Sequence, residues 1–114
     1  MRKIYGTDHH FNAAGIEALL ASVANKQKDN ARAELLIRQA LSTFLDIQGP
    51  AGAKTAMAHV QLGHILLCEK KYAEAARESE TGYGILLKQP VAQGEFFNMA
   101  KEDLAAENAG IGAT

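Results

Sequence analysis

The hydrophobic positions of this chain recur at helical spacing, in five runs separated by short polar or glycine-rich breaks. The pattern predicts helices at about residues 10–26, 31–47, 53–69, 72–88 and 91–108. The clearest break is Gln48-Gly49-Pro50-Ala51-Gly52, where glycine can end one helix and proline cannot continue it. The sequence therefore predicts an all-α fold with five helices and no strand.

The two ends of the chain carry weaker patterns. Gly6-Thr7-Asp8 resembles a turn leading into the first helix, with Thr7 or Asp8 as its N-cap. Residues 109–114 are rich in Gly and Ala, so we expect a flexible tail there. The predicted repeat domain spans residues 6–108.

The chain is similar to itself at an offset of 42 residues. At that offset small residues fall on small residues where two helices would touch: Ala21 on Gly63, Ala33 on Ala75, and Ala40 on Gly82. A period of this length predicts two stacked helical hairpins, at about 10–47 and 53–88, followed by a capping helix at about 91–108. The alternative is chance agreement between two Ala-rich amphipathic hairpins.

Leu62-Gly63, Tyr72, Ala75 and Gly82 resemble the tetratricopeptide-repeat (TPR) pattern. That pattern has Leu-Gly on the first helix of each repeat, followed by an aromatic, Ala and a small residue on the second. The long period is similar to the longer-helix variant of kinesin light chains. The resemblance implies a TPR-like α–α superhelix of two hairpins plus a C-terminal capping helix.

Two positions depart from this pattern. Ser79 stands where it usually has a large aromatic, so the space there is filled differently. Asn30 aligns with Tyr72, so the first repeat lacks the usual aromatic.

In tetratricopeptide repeats the first helix of each hairpin lines a concave groove that binds protein segments. Carried over to this chain, the resemblance implies a partner-binding groove of Met57, Val60, His64, Leu67, Cys68, Ser22, Asn25, Lys26 and Met99. Its apolar members would not be needed by the hairpin core, and exposed apolar patches mark interaction surfaces. The alternative is that they pack against neighbouring helices or a second copy of the chain.

Composition and charge argue against several classes of function. The 114 residues include 12 basic and 13 acidic side chains, so nothing favours electrostatic capture of nucleic acid or a membrane surface. A single cysteine, Cys68, rules out an internal disulfide framework and is compatible with a reducing compartment. No apolar h-region follows Met1-Arg2-Lys3 and no run is long enough to span a bilayer, so we expect a cytoplasmic location.

Candidate catalytic or metal chemistry is sparse. His64 and Cys68 lie four residues apart and share a helix face, so they could supply two metal ligands or a thiolate–imidazole pair. His59 and His64 are five apart and do not share a face well. No CxxC, HExxH, nucleophile elbow or GxGxxG motif is present. We therefore expect no enzyme activity, cofactor or metal.

The leading hypothesis is a non-catalytic scaffold that binds a protein or peptide partner in its groove. The alternative is a structural role, either as a fragment of a longer solenoid or as a self-associating homodimer. A thiol- or metal-dependent enzyme centred on His64 and Cys68 is the third hypothesis.

Overall fold

The computed structural model of the protein describes residues 4–88 and 94–113, and their regular structure is entirely α-helical. The helices are α1 (Ile4–Lys26), α2 (Asn30–Gln48), α3 (Ala53–Cys68), α4 (Tyr72–Leu87) and α5 (Gly94–Ala113). The prediction of five helices and no strand is confirmed for these two ranges. No described helix is both long and apolar enough to cross a membrane.

The first helix begins earlier than the sequence pattern predicts. α1 starts at Ile4, so Gly6-Thr7-Asp8 lies inside the helix, and neither Thr7 nor Asp8 is its N-cap. A glycine in a helix interior costs only about 1 kcal/mol relative to alanine. That cost is too small for Gly6 and a potential capping residue to prevent the helix from beginning before them.

The last helix continues beyond its predicted end. α5 is helical through Ala113, whereas we expected a flexible tail from residue 109. Gly110 explains part of the difference, because a Cβ at this position would overlap the ring of Tyr72. The bare backbone of α5 therefore packs against the start of α4. The predicted helix start at Val91, the predicted stop at Gln89-Pro90, and Thr114 lie outside the described residues.

The turns that close the two hairpins have the same geometry at the predicted offset of 42 residues. Lys28 and Lys70 both adopt the left-handed conformation, with φ of 65° and 63°. In each turn the amide after the lysine donates to the carbonyl five residues earlier, at 2.9 Å. These bonds form the Schellman arrangement that ends helices. Matching bonds in two separate turns support the repeat inferred from the sequence.

Helix α3 lies at the centre of the molecule and packs against each of the other four helices. The pair α1 and α2 lies on one side of it, and the pair α4 and α5 lies on the other. In the described ranges α1 does not pack against α5. Part of α3 is therefore left open between them.

Two glycines let α3 and α4 approach closely. A Cβ on Gly82 would lie 2.6 Å from Val60 Cγ2 and 2.8 Å from the Ala56 carbonyl oxygen. A Cβ on Gly63 would lie 3.2 Å from the Ala75 carbonyl oxygen. Both glycines are buried, so larger side chains would force the helices apart. The contact predicted between Gly63 and Ala75 is confirmed.

Alanines form the inner face of α1. Ala14, Ala21 and Ala24 are buried against the first hairpin core, and the ring of Phe11 packs edge-on to Phe44 of α2 at a centroid distance of 5.5 Å. Four branched apolar residues of α1 face solvent instead: Ile16, Leu19, Leu20 and Val23. The sequence pattern did not distinguish these faces, because both are apolar.

An ion-pair network joins the two hairpins. Arg38 of α2 contacts Glu34 at 2.8 Å and Glu74 of α4 at 2.7 Å, and Lys71 contacts Glu34 at 3.3 Å. Burial alone would raise the pKa of Glu34, but hydrogen bonds with Glu69, Arg38 and Lys71 hold it at about 2. Glu74 therefore links α4 to α2 through an exposed ion pair.

We predict opposite effects for alanine at two neighbouring glycines of α4. Gly82→Ala should destabilise the protein by about 1–3 kcal/mol, because the new methyl group would overlap Val60 and the backbone of α3. Gly84→Ala should stabilise it by up to about 1 kcal/mol, because nothing lies within 4 Å of the added Cβ and alanine favours helix. Thermal melting measures both effects. Equal shifts in the two variants would show that the helix register is wrong.

Candidate functional site

A groove runs along the open face of α3, between α1 and α5. It consists of two adjoining pockets of about 300 and 200 Å³, which share Ser22 of α1 and Gln61 of α3. Phe44 and Met57 lie in the larger pocket, and Met99 of α5 lies in the smaller. We call this surface the inner groove and define it by Ser22, Asn25, Lys26, Met57, Gln61, His64 and Met99.

Most residues that the resemblance assigned to a groove lie together in the structure. Ser22, Asn25 and Lys26 form the α1 wall, and Met99 forms the α5 wall. The floor follows one stripe of α3, on which Met57, Gln61 and His64 are spaced i, i+4 and i+7. Three helices thus contribute to one concave surface.

Val60 does not belong to this surface. Its side chain is fully buried with Ala56, Leu86 and Ala100, between α3, α4 and α5. Our expectation that the hairpin does not need Val60 is therefore wrong. The physical reason is that α5 packs along this side of α3 and covers the residue.

Leu67 and Cys68 also lie outside the two pockets. Leu67 is half-buried and packs against the core of the first hairpin. Cys68 is exposed at the C-terminal end of α3, one turn beyond His64. Neither residue lines the inner groove.

Gln61 is a groove residue that the sequence analysis missed. Its side-chain amide donates a 2.7 Å hydrogen bond to the Ala18 carbonyl, and this bond ties α3 to α1 across the groove floor. No motif marks a glutamine of this kind. The sequence signal that could have identified Gln61 is its position between Met57 and His64 on the same helical stripe.

A second feature borders the groove where α5 docks on α3 and α4. His64 Nδ1 lies 3.0 Å from Asp103 Oδ2, and the Ser79 hydroxyl donates to Glu107 Oε2 at 3.0 Å. We call these four residues the polar cluster. Glu107 is fully buried, and it contacts the serine that replaces the aromatic of the repeat pattern. The carboxyl group of Glu107 therefore lies against the small side chain of Ser79.

The polar cluster changes the acidity of two of its members. The pKa of the Glu107 carboxyl is raised to about 7, mainly because the side chain is buried; the hydrogen bond from Ser79 and the charge of His64 oppose the rise, and the charge of Asp103 adds to it. The hydrogen bond to Asp103 raises the pKa of the His64 imidazole above its usual value. The Oε1 atom of Glu107 is buried and has no hydrogen-bond partner. The neutral acid is therefore the favoured form in the folded protein below about pH 7.

The two histidines of α3 have different partners, as their spacing predicted. His59 Nδ1 lies 2.7 Å from Glu78 Oε1 of α4, whereas His64 contacts α5. His64 Nε2 faces the Cys68 sulfur at 4.0 Å. Within the described part of the chain, no group of three or more His, Cys, Asp or Glu residues is placed to hold a metal ion.

Two lysines line the inner groove, and the carboxylate nearest to it, Asp103, is already paired with His64. Lys54 lines the larger pocket and Lys26 the smaller, and neither pocket lining includes an Asp or Glu. The floor from Lys54 to His64 covers about 15 Å at 1.5 Å per helical residue. An extended peptide of about four to five residues has this length. The groove therefore has the size and charge for a short segment that carries an acidic residue.

A larger depression of about 520 Å³ lies between the α2–α3 loop and α4. Its lining includes Pro50, Thr81 and Gly84, with Glu80 and Lys88 of opposite charge. It contains none of the residues of the inner groove or the polar cluster. We therefore regard the smaller inner groove as the better candidate.

Comparison of this chain with protein-family models, with curated proteins and with solved structures gives no match. The functional interpretation therefore depends on the geometry described above.

We predict that Glu107 makes the protein less stable as the pH rises from 4.5 to 7. The folded-state pKa is raised above the ordinary value of 4.5, so the folded chain holds this proton over that range while the unfolded chain releases it. The loss is at most about 3 kcal/mol, at 1.36 kcal/mol per pKa unit. Denaturant unfolding at several pH values measures it.

The control for this prediction is on the same helix. Glu107→Gln keeps the side-chain shape and removes the titration, so its stability should fall less over this pH range. Glu102→Gln changes an exposed carboxyl of α5 and should behave like the wild type. If wild type and Glu107→Gln had the same pH dependence, Glu107 would not be buried as described.

Proposed function

We propose that this protein is a non-catalytic tetratricopeptide-like module that binds a protein segment in its inner groove and so acts as a scaffold. One observation carries the proposal. Groove positions carried over from the repeat pattern, on three separate helices, meet on a single concave face. Six of the nine assigned positions, among them Ser22, Met57 and Met99, line this face.

The lining suits an extended peptide. Met57, Ala58 and Phe44 offer apolar contacts in the larger pocket, and Ser22 and Gln61 offer hydrogen-bonding groups beside them. Peptide-binding sites combine such an apolar floor with a few fixed polar groups. The lysines near both ends favour an acidic residue in the partner. We also propose a cytoplasmic location, which the free and exposed thiol of Cys68 supports.

The proposal is tested by selecting peptides and then blocking the groove. A phage-displayed peptide library is panned on the immobilised protein, and enriched peptides are measured by fluorescence anisotropy. Ser22→Arg puts a large side chain where the two pockets meet, so affinity should fall tenfold or more. The matched control is Ser42→Arg, at an exposed position of α2 outside the groove, which should bind as the wild type does.

Thermal melting of both variants shows whether the fold is kept. The proposal is wrong if no peptide is enriched over an uncoated surface. It is also wrong if the Ser22→Arg protein melts normally and binds the selected peptides as tightly as the Ser42→Arg protein.

A second candidate function is thiol chemistry at Cys68, favoured by the alignment of three side chains. Asp103 holds Nδ1 of His64, which leaves Nε2 directed towards the Cys68 sulfur. In the neutral imidazole with Nδ1 protonated, Nε2 is a base that can accept the thiol proton. The sulfur could then attack an electrophilic carbon and displace its leaving group.

Iodoacetamide tests this second candidate, because its alkylation forms a carbon–sulfur bond and releases iodide. If His64 assists, His64→Ala should slow alkylation of Cys68 several-fold at neutral pH. The control His59→Ala changes the other histidine of α3, which contacts Glu78, and should leave the rate unchanged. Equal rates in the wild type and the His64→Ala variant would exclude assisted thiol chemistry.

A further inference from the structure

The outward face of α1 is an uncovered apolar stripe. Ile16, Leu19, Leu20 and Val23 are 59%, 66%, 47% and 46% exposed. Their spacing of i, i+3, i+4 and i+7 places them on one side of the helix. The opposite side is already occupied by the packing of alanines against the first hairpin core. A helix that is apolar on two opposite faces is normally buried on both.

The stripe is symmetric about the point between Leu19 and Leu20. Ile16 and Val23 lie equally far from that point, and so do Asn12 and Gln27, which are exposed amide residues at its two ends. Rotation by 180° therefore places apolar residues on apolar residues and an amide on an amide. Closed dimers use a self-complementary surface of this kind.

We propose that a second copy of this chain covers the stripe, through antiparallel pairing of the two α1 helices. In this arrangement Ile16 contacts Val23 of the partner subunit, and Leu19 contacts Leu20 of the partner subunit. Asn12 lies beside Gln27 of the partner subunit, where the two amides can exchange hydrogen bonds. Leu19 also lines the larger pocket of the inner groove, so the two surfaces adjoin at this residue, but self-association does not require a bound peptide.

Charge selects the antiparallel orientation. In a parallel pair Glu17 would face the Glu17 of the partner subunit, and Lys26 would face its own copy. In the antiparallel pair Glu17 lies opposite Ser22 of the partner subunit, and Lys26 lies opposite the uncharged Ala13 of the partner subunit. The helix dipoles also oppose each other only in the antiparallel arrangement.

The size of the stripe sets the expected strength of the dimer. The symmetric segment from Asn12 to Gln27 covers about 22 Å at 1.5 Å per residue. A single pair of helices over this length gives an interface at the small end of specific ones. We therefore expect a weak dimer, with exchange between monomer and dimer.

Sedimentation equilibrium over a concentration series tests the proposal. Wild type should change from monomer to dimer as its concentration rises from about 1 μM to about 500 μM, because a small interface gives a weak dimer. Leu19→Lys places a charge at the centre of the stripe and should weaken the dimer at least tenfold. The matched control Leu35→Lys changes an equally exposed leucine of α2, outside the stripe, and should dimerise as the wild type does.

Disulfide trapping tests the orientation. In a Cys68→Ser background, chains with Ile16→Cys are mixed with chains with Val23→Cys and oxidised. Antiparallel pairing predicts disulfides between the two kinds of chain, whereas parallel pairing predicts disulfides within each kind. A chain that stays monomeric at all concentrations overturns the proposal. The same result is expected if a different protein, and not a second copy of this chain, docks on α1. Equal weakening by Leu19→Lys and Leu35→Lys, or disulfides only between identical chains, overturns it too.

Discussion

The close approach of α3 and α4 at Gly63 and Gly82 is the constraint on which the rest of the structure depends. At Gly82 a single methyl group would meet both a side chain and the backbone of the neighbouring helix. Close packing of this kind leaves no space for adjustment. It fixes the rotation of α3 about its own axis. That rotation determines which residues of α3 face the hairpin core and which remain open as the floor of the inner groove.

The polar cluster is a consequence of the same packing. Because Ser79 is small, α5 can lie close enough for the buried carboxyl of Glu107 to accept its hydrogen bond, while Asp103 holds His64 at the groove edge. A buried carboxyl with one unpaired oxygen is stable only when it keeps its proton. We therefore expect the docking of α5, and with it the second wall of the groove, to weaken when Glu107 loses its proton.

The sequence predicted the elements and the local contacts but not the long-range ones. Helix boundaries near Gly49 and Lys70, and the contact of Gly63 with Ala75, follow from breaks and small residues close along the chain. The burial of Val60 depends on the position of α5, about 40 residues away, which no local pattern encodes. The sequence also left open which of the two apolar faces of α1 meets the core, because periodicity alone does not distinguish them.

The central claim is that the face of α3 left open by its neighbours is the recognition surface. Amide chemical-shift mapping by NMR, during titration with a peptide selected on this protein, tests it most directly. The account predicts that the largest changes occur at Ser22, Asn25, Met57 and Gln61, on the α1 wall and the floor of the inner groove. Changes centred instead on Thr81 and Gly84, beside the larger depression, would contradict it.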